Sequence, residues 1–203
     1  MASADAFRRY DDTDDALFYA WPRRVVHIEA GAIEALRARY AALIRPGGAV
    51  LDLMSSWRSH LPAGLGPVTG LGMNAEEMRD NPQLDAVVIH DLNRDPTLPF
   101  GDDTFDAVLC AVSVQYLVRP VEVFTDVRRV LRPGGVVVVS FSNRCFPTKA
   151  VAIWLAGSDA THRTLVRTYL ERSGFAGVMD EQVPTPDDPL FVVFGRRDSG
   201  SEP

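Results

Sequence analysis

One segment combines a short apolar run with polar side chains that could bind a ligand. The run Val50–Leu53 carries a single acid, Asp52, and Met54, Ser55 and Ser56 follow it directly. A turn that presses its backbone against a ligand is usually rich in glycine, because glycine has no side chain to fill the space. Here side chains occupy those positions. The segment therefore predicts a strand followed by a ligand-binding turn without its usual glycines.

Two other apolar runs end in side chains with chemical capacity. Asp91 follows the run Ala86–His90, while Asn143 and Arg144 follow the run Val136–Phe141. An arginine can hold an anionic group through two parallel hydrogen bonds. In an open parallel sheet, ligands bind in a crevice at the carboxyl ends of the strands. These residues are candidates for one such site, although Asp91 would also suit a simple turn and Arg144 a solvated loop.

Short apolar runs alternate along the middle of the chain with apolar residues at helical spacing, which is typical of a parallel sheet with helices on both faces. The last two runs have no helical pattern between them and predict an antiparallel pair at one edge. Helices are predicted over Ala32–Ile44, Ala75–Arg79, Val121–Leu131 and Leu165–Leu170, and a further helix is predicted to begin at Phe146 and to contain Trp154. Strands are predicted over Ala49–Leu53, Val68–Leu71, Ala86–His90, Phe105–Val112, Val136–Phe141, Gly177–Val183 and Leu190–Phe194. The predicted fold class is α/β, with a seven-stranded and mostly parallel sheet.

Composition narrows the classes of protein that fit. The chain has 203 residues, 46% of them hydrophobic and 24% charged, which suits one globular domain. A net charge of −6 without a basic cluster makes a nucleic acid an unfavourable partner. Cys110 and Cys145 lie in or beside apolar runs and predict reduced thiols, and no metal-ligand spacing is present. Because neither a signal-peptide pattern nor a membrane-spanning run is present, we expect a cytoplasmic protein without a membrane partner.

The chain is predicted to divide into three parts. Residues 1–30 form an N-terminal arm or lid, whose acidic beginning up to residue 15 is expected to be loose. The main domain covers residues 31–197. Residues 198–203 are expected to be a disordered tail.

Several motifs, in this order, resemble those of the class I S-adenosylmethionine (SAM)-dependent methyltransferases of the type 11-like kind. Leu98–Cys110 reads LPFGDDTFDAVLC and is similar to the family's approach to its fourth strand. Val130–Val136 reads VLRPGGV and is similar to the entry to the fifth. The resemblance covers roughly residues 45–195 and includes a sub-group that shares the atypical Asp-Leu-Met-Ser-Ser-Trp motif. It implies a Rossmann-like fold, SAM as the cofactor and a small-molecule substrate.

The resemblance assigns the first motif to the methionine end of SAM. It implies that Asp52 binds the cationic amino group of the cofactor. Ser55 and Ser56, beside Met54, would then form a rebuilt loop that contacts the methionine carboxylate. The alternative is that the two serines cap a short helix from Trp57 to Leu61, because serine caps helices well.

The resemblance also assigns residues to the rest of the cofactor. The family's ribose-binding acid corresponds to Gly72, so Asn74 is the candidate that remains, with helix capping as its alternative. Asp91 would accept from the adenine amine while the Leu92 amide donates to the ring. Ser113 would border the cofactor near the reacting methyl group.

Catalytic and substrate-binding candidates follow from the chemistry of methyl transfer. A general base is needed only if the acceptor is protonated, and His27, Tyr19 and Tyr116 are the candidates. A structural role is the alternative for His27. The substrate-binding candidates are Gln115, Asn143 and Arg144.

Two functional hypotheses remain open from the sequence. The first is a SAM-dependent methyltransferase acting on a small molecule. The second is a non-catalytic member of the fold that binds through a degenerate SAM site, because the Gly-x-Gly pattern and the ribose acid are missing. A nicotinamide-dependent reductase fits poorly, because no Gly-x-Gly-x-x-Gly follows the first strand. The oligomeric state stays open.

Overall fold

The computed structural model describes residues 4–186 and 188–200. Six α-helices are present in this part of the chain: α1 Asp15–Phe18, α2 Ala30–Leu43, α3 Ala75–Arg79, α4 Pro120–Val130, α5 Ala152–Leu155 and α6 Asp159–Arg172. The strands are β1 Val50–Leu53, β2 Val68–Gly72, β3 Ala86–Ile89, β4 Phe105–Ala111, β5 Leu131–Phe141, β6 Ala176–Val183 and β7 Leu190–Arg196. Short 3-10 turns cover Ala4–Phe7 and Val114–Tyr116.

The strands form one seven-stranded sheet in the order β3-β2-β1-β4-β5-β7-β6. All neighbours are parallel except β7, which runs antiparallel to both β5 and β6. The predicted fold class is therefore confirmed, including the antiparallel pair at one edge. The order along the chain reverses between β1 and β4, and ligands of open α/β sheets bind at such a reversal.

Helices cover the two faces of this sheet with separate apolar cores. On one face, Ala32, Leu36 and Tyr40 of α2 pack on the sheet and are fully buried. On the other face, α4 and α6 supply a larger core that includes Phe124 and Tyr169. Because both faces are covered, all four residues of β1 are buried, and this includes Asp52. The strand thus delivers a carboxylate to a dry part of the molecule.

The connection from β1 to β2 is irregular from residue 54 to residue 67. The short helix considered for Trp57–Leu61 does not form. Instead the hydroxyls of Ser55 and Ser59 turn back and donate to Asp52. Those two contacts hold the chain in a conformation that a helix could not adopt.

Two other sequence expectations need correction. A helix expected to begin at Phe146 begins only at Ala152, after a turn, although it contains Trp154 as expected. The N-terminal segment, expected to be loose, is docked: Arg9 forms a bridge with Val151, and the Ala152 amide donates to the carbonyl oxygen of Arg8 at 2.8 Å.

Ion pairs hold this segment as well. Lys149 is fully buried, and its ammonium lies 3.2 Å from carboxylate oxygens of both Asp11 and Asp15. Arg9 pairs with Asp15 at 2.7 Å. Of the tail that was expected to be disordered, residues 201–203 lie outside the described residues. Within the described ranges, no helix is long and apolar enough to cross a membrane.

Candidate functional site

A cleft opens at the carboxyl ends of β1, β2 and β4, where the strand order reverses. It encloses about 1140 Å³, including the space at its open mouth. Most of the predicted site residues line it: Tyr19, His27, Asp52, Met54, Ser55, Ser56, Asn74, Asp91, Leu92, Ser113 and Tyr116. The fold therefore brings together residues that lie up to about half the chain apart in sequence.

Asp52 provides a buried negative charge at the end of β1. Its side chain is 3% exposed, and the hydroxyls of Ser55 and Ser59 each donate to Oδ2 at 2.6 Å. Asn81 fixes the second hydroxyl by donating to Ser59 Oγ at 2.7 Å. Burial raises the pKa of Asp52 to about 6, and the two hydroxyls oppose that shift. At neutral pH the carboxylate is thus mostly ionised and faces the cleft.

The loop after β1 closes tightly over the end of β2. The Ser55 amide donates to the carbonyl oxygen of Leu71 at 2.8 Å. A Cβ atom at Gly72 would lie only 2.4 Å from the carbonyl oxygen of Ser55. The glycine is therefore required where the family resemblance expects an acid. Met54 adopts a φ of 58°, which is strained for a residue with a side chain.

Asn74 caps the N-terminus of α3, which is the alternative considered from the sequence. Its Oδ1 accepts from the Glu77 amide at 2.9 Å at the start of α3, and its Nδ2 donates to the carbonyl oxygen of Tyr19 at 2.9 Å. The ribose role suggested for Asn74 is therefore in competition with two existing hydrogen bonds.

Glu77 is a site residue that sequence reasoning missed. It is 6% exposed, lines the cleft, and accepts from Ser56 Oγ at 2.5 Å and from the Arg23 amide. Its carboxylate thus joins the loop after β1 to the N-terminal segment. The spacing Asn74-x-x-Glu77 is a helix-start signature that could have drawn attention to it.

Asp91 forms the turn considered from the sequence, and it also lines the cleft. Its Oδ1 accepts from the amides of Asn93 at 2.9 Å and Arg94 at 3.3 Å. Leu92 beside it is buried. Asn93 in turn donates to Asp15 Oδ2 at 2.9 Å and to the carbonyl oxygen of Tyr116 at 3.0 Å. The turn is therefore fixed to the N-terminal segment and to the chain after β4.

The part of the N-terminal segment from residue 19 to residue 28 lies along the cleft and contacts α3 and the loop after β1. Arg24 pairs with Glu76 at 2.9 Å and with Asp80 at 2.6 Å. The indole of Trp57 donates to the carbonyl oxygen of Val25 at 3.1 Å. Tyr19, Val25 and His27 of this segment line the cleft, so the segment restricts the access of water.

Of the three candidate bases, His27 has the electrostatics that suit proton transfer. Burial, together with the nearby Arg144, lowers its pKa, so the imidazole is neutral at physiological pH. Burial raises the pKa of Tyr116 to about 12 and also raises that of Tyr19. The Tyr116 hydroxyl accepts from the Phe146 amide at 2.8 Å. Both phenols therefore stay protonated and can donate hydrogen bonds.

The three predicted substrate-binding residues lie outside the cleft lining. Gln115 is 1% exposed and donates to the carbonyl oxygen of Val112 at 2.9 Å. Arg144 pairs with Glu29 at 2.9 Å and with Asp188 at 2.8 Å. Asn143 is exposed on the same loop. No cluster of potential metal ligands occurs among the described residues, and Cys110 and Cys145 are both free thiols.

Comparison with known proteins bears on the same region. Residues 59–139 match the family described as a methyltransferase domain. Demethylmenaquinone methyltransferase of Renibacterium salmoninarum is 31% identical over 151 residues, which cover 70% of this chain and 58% of the relative. The enzyme of the same name from Beutenbergia cavernae is 35% identical over 143 residues, which cover 67% of this chain and 54% of the relative. The chain thus spans little more than half the length of these relatives.

Solved structures share the fold. A SAM-dependent methyltransferase from Aquifex aeolicus has a TM-score of 0.60 at 16% identity and covers 81% of this chain and 89% of its own. A SAM-dependent methyltransferase from Mesorhizobium loti has a TM-score of 0.57 at 20% identity, and the match covers 80% of this chain and 98% of the other. Fold, motifs and family match agree: the fold is that of the class I SAM-dependent methyltransferases, and residues 59–139 match the methyltransferase domain family. SAM is the cofactor of that class, as predicted.

The residues present fit this cofactor at two of its three parts. A buried carboxylate at the end of β1 and a second one after β3 line the same cleft. The ribose acid is absent, because the loop after β1 lies against Gly72. The acids that the resemblance assigns to the amino and adenine ends therefore line the cleft, and the position that it assigns to the ribose is altered.

Proposed function

We propose that this protein transfers a methyl group from SAM to a small molecule. The observation that carries the proposal is that Asp52, Asp91 and Ser113 line one cleft where the strand order reverses. These are residues that the family resemblance assigns to the amino end, the adenine and the methyl region of SAM. The match to the methyltransferase domain family over residues 59–139 supports the same activity.

The cofactor, when bound, supplies an electrophilic methyl group on a sulfonium sulfur. The protein's task is to align the acceptor with that group and to exclude water. Asp52 binds the cofactor's ammonium group, and Asp91 accepts from the adenine amine. The N-terminal segment from Tyr19 to His27 covers the cleft.

We infer that the acceptor is a flat ring compound of the quinone or phenol type. Tyr19, His27 and Tyr116 place three rings in the cleft lining. The rings of His27 and Tyr116 pack on Phe146, and their centroids lie 4.8 Å and 6.1 Å, respectively, from the centroid of the Phe146 ring. Flat apolar walls favour a flat ligand. The names of the two relatives point to a quinone acceptor for those enzymes.

His27 acts as the general base in this proposal if the acceptor carries a hydroxyl. Its imidazole is neutral at physiological pH and lines the cleft. A neutral imidazole can accept a proton as the acceptor becomes nucleophilic. Tyr19 and Tyr116, which stay protonated, orient the acceptor by donating hydrogen bonds.

One observation favours a second candidate function, a non-catalytic protein with a degenerate SAM site. The Ser55 carbonyl lies against Gly72, and Met54 is strained in the same loop. A loop fixed in this position would leave less space for the ribose.

Calorimetric titration with SAM and with its demethylated product, S-adenosylhomocysteine, separates the two candidates. The proposed enzyme should bind both ligands, and Asp91→Asn should weaken both about tenfold, because Oδ1 already accepts from the turn amides and the second acceptor oxygen becomes an NH2 donor. Transfer of labelled methyl groups to simple quinols and phenols then tests catalysis. Absence of binding at millimolar ligand, with a folded protein, would reject the enzyme.

A further inference from the structure

His60 is a polar side chain in the cleft that the proposed reaction has not used. It lines the cleft, and its side chain is 9% exposed. It makes no hydrogen bond with any residue that the structure describes, and its ring nitrogens are not sealed off by protein atoms. An imidazole whose nitrogens open into a cleft and have no partner among the described residues can donate its N–H to a bound ligand.

The backbone at His60 is also strained. Its φ is 56°, a value that residues with side chains seldom adopt. The preceding residue, Ser59, is held between Asp52 Oδ2 and Asn81 Nδ2, so the chain is fixed immediately before the imidazole. Such strain persists where the surroundings enforce it, and it concentrates at ligand-binding sites.

The charges around His60 are opposite in sign to that of Asp52. Burial and the nearby Arg37 and Arg58 lower the pKa of His60 to about 4. The imidazole is therefore neutral, and it stands in a positive field that two arginines generate. Arg58 also lines the cleft and stacks on Trp57, with its guanidinium 4.2 Å from the ring centroid. One end of the cleft thus has a negative side at Asp52 and a positive side at His60.

A zwitterionic amino-acid group carries one positive and one negative charge, so it is bound best between a negative and a positive part of a cleft. We propose that His60 binds the α-carboxylate of the methionine part of SAM by donating from its ring N–H, while Asp52 faces the α-ammonium group. The inference rests on the proposed function. In it, His60 replaces contacts to the cofactor that a glycine-rich loop after β1 would otherwise make. Arg58 adds long-range attraction for the same carboxylate.

The test compares two ligands that differ in this amino-acid group. S-adenosylhomocysteine carries it, and 5′-methylthioadenosine keeps the adenosine and the sulfur but lacks it. Calorimetry on the wild-type protein should detect binding of both. His60→Gly suits the positive φ, and it should weaken S-adenosylhomocysteine binding about tenfold or more, because a hydrogen bond to a charged group is lost. Binding of 5′-methylthioadenosine should change less than about twofold.

Two control variants make the result specific. His60→Asn also tolerates the positive φ and keeps a donor, so it should restore part of the affinity for S-adenosylhomocysteine. Asp91→Asn should weaken both ligands alike. Equal loss of both ligands in His60→Gly, or loss of neither, would overturn the role of His60. If the wild-type protein binds neither ligand, it is the proposed function that fails.

Discussion

At the scale of single residues, Asp52 carries a charge that its surroundings disfavour. Its pKa is raised to about 6 by burial, above the ordinary value of 3.8 for an aspartate. The protonated form is therefore the one that the folded protein tolerates better. The contribution of this group to stability is fully present below about pH 4 and is lost as the pH rises through about 6.

Asp52→Asn should accordingly stabilise the protein at neutral pH. We expect a gain on the order of 1–3 kcal/mol near pH 7.5 that shrinks towards zero near pH 4, because the amide carries no charge at either pH. Thermal unfolding of wild type and variant across that range measures it. Asp198→Asn, in the exposed C-terminal coil, is the control for a lost charge. A variant that is less stable than wild type at every pH would contradict the prediction.

At the scale of elements, the loop after β1 and the end of β2 depend on each other. Side chains stand in the loop at Met54 and Ser55, and the glycine stands on the neighbouring strand at Gly72. A Cβ atom at Gly72 would lie 2.4 Å from the carbonyl oxygen of Ser55, and this explains the exchange in steric terms.

Gly72→Ala should therefore destabilise the protein, by about 1–3 kcal/mol, because the new methyl group would displace the Ser55 carbonyl. Urea unfolding measures the loss. Gly101→Ala is a matched control, since a Cβ there meets only Thr104 Oγ1 at an ordinary 3.8 Å. Similar stability losses in both variants would show that the contact with Ser55 is not the cause.

The N-terminal segment depends on the carboxylate of Glu77 in α3. Glu77→Ala removes the acceptor for the Arg23 amide and for Ser56 Oγ. Amide hydrogen exchange between residues 19 and 28 should become about tenfold faster, because local opening then breaks fewer contacts. Glu122→Ala is the control, because that side chain is 59% exposed and its ion pair with Arg119 lies outside this segment. Unchanged exchange in Glu77→Ala would mean that other contacts hold the segment.

At the scale of the whole molecule, a buried ionic cluster joins three distant parts of the chain. Asp15 and Arg9 of the N-terminal segment meet Lys149, which follows β5, and Asn93, which follows β3. Removing one partner of a buried ion pair leaves the other charge without compensation.

Lys149→Met should lower the free energy of unfolding by about 3 kcal/mol, because Asp11 and Asp15 lose a buried cation. Urea unfolding measures it. Arg8→Met is the control at the surface, where Arg8 pairs with Asp5 with both side chains more than 70% exposed, and stability should be unchanged within error. Equal stability of Lys149→Met and the wild type would show that the cluster does not stabilise the fold.

The periodic segments were predictable from the sequence. Helix α3 was predicted with both ends correct, and each strand was found within a few residues of its predicted range, except that β5 begins five residues earlier, at Leu131. Local apolar patterns determine such elements, because each pattern matches one period of the backbone. Motif resemblance also led to residues that line the cleft, such as Asp52 and Asp91.

The contacts between distant segments were not predictable. Glu77 and His60 were missed because their roles depend on partners elsewhere, such as Arg23, or on a backbone conformation that no local pattern indicates. The prediction that the chain up to residue 15 is loose was wrong for the same reason, because the residues that hold Arg9 and Asp15 lie far away in the sequence.

The sequence alone therefore determined the α/β class, the antiparallel pair at one edge of the sheet, and the identity of the acids at the ends of β1 and β3. Only the tertiary structure decided that the loop after β1 lies against Gly72, that Glu77 joins this loop to the N-terminal segment, and that His60 faces the cleft with no hydrogen-bond partner among the described residues. The physical reason is range. Propensity and periodicity act over a few residues, whereas burial, close approach and charge compensation depend on which distant residues the fold brings together.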